Sequence, residues 1–99
     1  MVNFKISLTK GAQGEILVNG NYVSGSDPLY IERVVIEELD SQGNGIGSST
    51  DHVDMSIDPV PGAYLLCSKM PSGTNVKKAR ATACYIEIDK TAKSGVLDL

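Results

Sequence analysis

The stretch Asp40-Ser41-Gln42-Gly43-Asn44-Gly45, with Asp51 at its twelfth position, carries part of the spacing of a calcium-binding loop. Such a loop places oxygen ligands at its first, third, fifth and twelfth positions and a glycine at the sixth, where the chain bends sharply. Asp40, Asn44 and Asp51 are the candidate metal ligands, and Gly45 stands at the bend. Gln42 at the third position breaks the pattern, as does Gly47 where an apolar residue belongs. The segment Val53-Asp54-Met55-Ser56-Ile57 alternates as a strand, whereas a calcium loop leads into a helix. The expectation is therefore a hairpin turn rather than a metal site, with no cofactor.

Other chemistry is thinly supplied. His52 is the lone histidine, beside Asp51 and near Asp54. A nucleophile–base–acid trio needs its members brought together in space, and nothing around His52 does so. There is no Gly-x-Ser-x-Gly elbow and no signature around Cys67. Phosphate-binding glycine motifs are missing as well; Gly43, Gly45 and Gly47 alternate without a helix behind them. Two acidic groups, Glu37-Glu38 with Asp40 and Asp51 with Asp54 and Asp58, could run acid–base chemistry only if burial split their pKa values. Their expected place is on solvent faces and turns, where charge supports solubility and guards sheet edges.

Cys67 and Cys84 are the two cysteines. They fall in two segments expected to form a hairpin across residues 71–76, which makes a disulfide conceivable. The expectation is two buried free thiols, because the chain opens without a basic, then apolar, leader and has no Asn-x-Ser/Thr sequon. Both features lead to a cytoplasmic assignment. A zinc site from Cys67, Cys84 and His52 would lack the close Cys-x-x-Cys pair of most structural sites.

Composition narrows the partners. The chain has 99 residues, a net charge of −3, nine Lys and Arg, no Trp and one Phe. That length allows one domain spanning 1–99. Phosphate backbones are gripped by clustered cations, and Lys77, Lys78 and Arg80 form the single local cluster, so nucleic acid is not expected. Few aromatic rings remain to stack on bases or sugars. No apolar run approaches the length of a membrane span.

The elements that would carry these residues are strands. Phe4, Ile6 and Leu8 alternate with polar neighbours, as do Val53, Met55 and Ile57, then Tyr64 and Leu66, then Cys84, Ile86 and Ile88. Period two places each set on one face of a half-buried strand. Pro61-Gly62 and Pro71-Ser72-Gly73 punctuate them. Glu15–Val23 contains Asn19-Gly20, a strong hairpin signal, yet the face formed by Ile16, Val18 and Tyr22 stays in phase through it, which favours one strand. Residues 28–40 fit two patterns. As a helix, Asp27 would cap, Pro28 would fill the first turn and Ile31, Val34, Val35 and Leu39 would share a face. As a strand, Ile31–Ile36 is rich in β-branched residues and agrees with its neighbours, so strand is expected. Thr91–Leu99 frays or adds a short edge strand.

The expected fold is an all-β, antiparallel sandwich of seven to eight strands and immunoglobulin-like size, with an α+β arrangement carrying one helix over 28–40 as the alternative. The phrase Val35-Ile36-Glu37-Glu38-Leu39-Asp40-Ser41-Gln42-Gly43 is similar in style to strand–turn phrases of bacterial β-sandwich modules and implies no ligand. The expected function is a non-catalytic protein-interaction or assembly module that self-associates through a sheet edge or face. A small-molecule or ion-binding module using the acidic turns is the alternative, and a small hydrolase is a more distant one.

Overall fold

The computed structural model describes residues 2–85 and 90–99. Among these the chain forms eight strands and no helix: β1 (Asn3–Lys10), β2 (Ile16–Ser24), β3 (Leu29–Leu39), β4 (Gly45–Ile57), β5 (Gly62–Lys69), β6 (Lys78–Tyr85), β7 (Lys90–Lys93) and β8 (Leu97–Asp98). They build two packed antiparallel sheets, a sandwich-like architecture. A three-stranded sheet runs β1-β2-β5. A five-stranded sheet runs β4-β3-β6-β7, with β8 also paired to β6.

Residues 28–40 are strand β3 rather than a helix. Leu29, Ile31, Val34 and Ile36 point into the sandwich, and the β-branched run lies between β4 and β6 with both edges paired. Helical propensity there is overridden by two ladders of backbone hydrogen bonds and a fully buried face. Glu15–Val23 likewise runs straight through Asn19-Gly20. A Cβ at Gly20 would lie 2.6 Å from Phe4 Cζ and 3.3 Å from Leu66 Cδ1. The missing side chain is thus filled by the Phe4 ring, and the glycine serves packing rather than a turn.

The core suits a chain poor in aromatics. Phe4 and Ile6 of β1 face a layer that includes Ala79, Ala81 and Ala83 of β6, since these two strands lie against each other across the sandwich. Large side chains over small ones let the layers approach and interdigitate. The Phe4 and Tyr85 rings meet edge to face at 6.1 Å. Tyr22 is fully buried and its hydroxyl donates to the Asp27 carbonyl at 2.6 Å. That bond satisfies the one polar atom the ring brings into the core.

One expected pairing is absent. The segments before and after 71–76 do not form a hairpin: β5 pairs with β2 and β6 pairs with β3, so the connection crosses from one sheet to the other. Turn residues at Pro71-Ser72-Gly73 mark a reversal, but a reversal does not specify which sheet the next strand joins. The alternation through Ile86 and Ile88 lies outside the described residues.

Candidate functional site

Asp40 closes the β3–β4 turn. Its Oδ1 accepts from the amides of Gln42 and Asn44, both at 2.9 Å, and Asn44 Nδ2 reaches Oδ2 at 3.4 Å. The Asn44 amide and its companions hold the Asp40 carboxyl below its usual range. Gly43, at φ +85°, takes the left-handed position in this turn. Asp51, six residues along β4 from Gly45, sits opposite Val34. At about 3.4 Å per extended residue it stands roughly 20 Å from the turn. Asp40, Asn44 and Asp51 are therefore not brought together. Among the described residues no three His, Cys, Asp or Glu side chains cluster as a metal site.

The cysteines are separated too. Cys67 lies opposite Val18 and packs against the core from the three-stranded sheet. Cys84 alternates with buried Ala83 and packed Tyr85, which puts it on the outer face of the other sheet. Packed sheets stand about 10 Å apart, beyond the reach of a disulfide. Both thiols are free and only half-buried, rather than fully buried as expected. Burial, and then the Asp51 carboxylate, push the Cys67 thiol up to about 11.

The acidic run divides in a way the sequence reading missed. Glu37 faces outward and forms a two-bond pair with Arg80, at 3.1 and 3.0 Å. Glu38 faces inward and is only 4% exposed, against the expectation of a solvent face. Its Oε2 accepts the Ser72 amide at 2.8 Å and its Oε1 the Ser72 hydroxyl at 2.5 Å. Burial pushes its pKa up, but the two Ser72 bonds, together with Lys69, outweigh that and leave it lowered. Glu38 lies between Gly47 on β4 and Ala79 on β6, two residues with little side chain to crowd it. It fastens the sheet-crossing connection to the end of the sandwich. The signal was present in the sequence: with Val34 and Ile36 inward, period two sends Glu38 inward as well.

The outer face of the five-stranded sheet carries rows set by register. Arg33 lies between His52 and Cys84, Val35 between Thr50 and Thr82, and Glu37 between Ser48 and Arg80. A depression of about 410 Å³ opens where β7 stops short of β8, lined by Glu37, Arg80, Thr82, Lys93, Ser94 and Val96 among others. The Arg80 guanidinium is committed to Glu37 there, and Lys78 pairs with Asp98 at 3.4 Å. Two of the three cations of the local basic cluster thus meet carboxylates of their own chain. His52 makes no hydrogen bond among the described residues that would set it up as a base.

The edges differ in how they are guarded. β1 carries Lys5 and Lys10. β5 lies between Pro61 and Pro71 and is bulged at Leu66. β7 and β8 are short and interrupted: the Ser94 hydroxyl, rather than a strand carbonyl, accepts the Ala81 amide at 2.8 Å. Lysines, prolines, bulges and short strands are the usual means of blocking an extra strand. Among the described residues, Gly47-Ser48-Ser49-Thr50-Asp51-His52 on β4 pairs regularly with β3 on one side only and holds no lysine, proline or bulge; its one charged guard is Asp51, opposite the buried Val34. The irregularities lie just outside, at Ile46 and at Val53-Asp54, where Asp54 takes φ +46°. Five of those six residues are exposed, and Ser49 is half-buried. The chain matches no protein-family model and no curated protein.

Proposed function

We propose that the chain is a non-catalytic protein-interaction and assembly module that works through an open edge of its five-stranded sheet. The observation that carries this reading is the regular, exposed Gly47–His52 edge of β4, which lacks the lysines, prolines and bulges of the other edges. An extended segment laid along such an edge completes a row of backbone hydrogen bonds that water otherwise satisfies. No catalysis is assigned in this reading, since among the described residues the groups that could do chemistry hold structure or stand apart. Asp40 holds a turn, Glu38 holds a crossing connection, and Cys67 is held as a thiol.

Light-scattering mass measured over a wide concentration range tests the reading. Variants carrying one new lysine on each edge, Thr50→Lys on β4 and Leu65→Lys on β5, are measured beside the parent chain. Association that rises with concentration and is weakened by an edge lysine is the expected result. A chain that stays monomeric throughout refutes self-assembly as its function.

A further inference from the structure

Resting on that reading, we propose that the occupant of the β4 edge is a second copy of this chain, paired antiparallel about a twofold axis at Thr50. Directly opposed residues of an antiparallel pair share a face, so a twofold axis perpendicular to the sheet must pass through a residue-to-itself pair. The regular stretch Gly47–His52 leaves few choices. An axis at Asp51 sets two carboxylates against each other, and like charges directly opposite are unfavourable. An axis at Ser49 sets His52 against Ile46, where the strand is already bulged. An axis at Thr50 sets Thr50 against Thr50, Ser49 against Asp51, Ser48 against His52 and Gly47 against Val53. Each of these four pairs includes a small or hydroxyl residue, and no two charges of one sign stand directly opposite, the two Asp51 carboxylates being diagonal rather than opposed. Threonine pairs across strands are among the favourable combinations. The register also sets Ile46 against Asp54, so the irregularities at the two ends of the stretch close the pairing symmetrically. The result is one continuous sheet through two copies.

Sedimentation equilibrium and cross-linking test this together. The parent chain should approach twice its 10.5 kDa mass as concentration rises. Thr50→Lys, whose exposed side chain leaves the monomer fold intact by circular dichroism, should raise the dissociation constant at least tenfold. Thr50→Cys in a Cys67→Ala, Cys84→Ala background should give a covalent dimer with a short thiol cross-linker, while Leu65→Cys in the same background should not. Association that is insensitive to Thr50→Lys but lost in Leu65→Lys, with no cross-link through position 50, overturns the Thr50 pairing and leaves the assembly reading standing. A parent chain that is monomeric up to millimolar concentration overturns both.

Discussion

Replacing Glu38 by Gln should be among the most damaging single-atom-scale changes in this protein, and its effect should depend on pH. The carboxylate is 4% exposed and accepts two hydrogen bonds from Ser72, at 2.8 and 2.5 Å. Glutamine keeps the shape but offers one acceptor oxygen, so one bond to a charged group is lost and the other is weakened. A hydrogen bond to a charged group contributes about 1.5–3 kcal/mol. At about 4–8 °C per kcal/mol for a domain of this size, the melting temperature at pH 7 should fall by roughly 6–24 °C. The sign with pH follows from the lowered folded-state pKa. The charge stabilises the fold fully above the ordinary glutamate value of about 4.3, and that contribution is lost as pH falls through the lower folded value. Melting curves of the parent and Glu38→Gln, followed by circular dichroism, should therefore separate at pH 7, begin to draw together below the ordinary glutamate value and converge once the pH passes the lowered folded one. Ser72→Ala, which removes the hydroxyl but keeps the amide, should fall between them at pH 7. Equal stability at pH 7, or a gap that widens in acid, would mean that burial dominates and that the carboxylate is a liability.

Gly20→Ala should cost about 1–3 kcal/mol, because its methyl would press on the buried Phe4 ring, and a chemical-denaturation midpoint reads this directly. An unchanged midpoint would show that the ring moves aside freely. At pH 8 a thiol titrating near 11 is ionised to about one part in a thousand, so alkylation of Cys67, mapped by mass spectrometry, should be slow and should accelerate with pH. Reductant should leave the melting temperature unchanged, since neither cysteine is bridged. Millimolar calcium should also leave it unchanged, whereas Asp40→Ala should lower it by freeing the amides of Gln42 and Asn44. A calcium-dependent rise abolished by that substitution would show the carboxylate to be available to a cation.

Strand character was legible wherever one face is buried and the other wet. Ile16, Val18 and Tyr22 kept phase across a hairpin-like dipeptide, and the structure shows why: the gap at Gly20 is occupied by a ring from β1. Pairing was less legible. Alternation in β5 and β6 says which residues face inward but not which strand lies alongside, and the expected hairpin was therefore misplaced. The cysteines followed that error, because their proximity was inferred from it. Glu38 was missed for another reason. Residue type spoke for a solvent face while its place in the period-two frame spoke for the interior, and a partner 34 residues away, Ser72, resolved the conflict. Bulges, including the one at the left-handed Asp54, insert an extra residue on one strand of a pair, and the sequence pattern of that strand alone does not report where its partner lacks one.

The crossing of the chain between sheets bears on how it can be divided. β1-β2 and β3-β4 are neighbours in sequence, but β5 returns to complete the first sheet and β6 to complete the second. Severing the chain after β4 would leave each of these two hairpins without the next strand of its sheet, and a two-stranded hairpin is marginal in water by itself. Severing it between β5 and β6 would strip β3, the centre of the larger sheet, of one of its two ladders. Neither sheet is a contiguous stretch of chain, so neither can serve as an independent folding unit. Unfolding should then be all-or-none, with slow amide exchange in β2 and β3 reporting the same free energy.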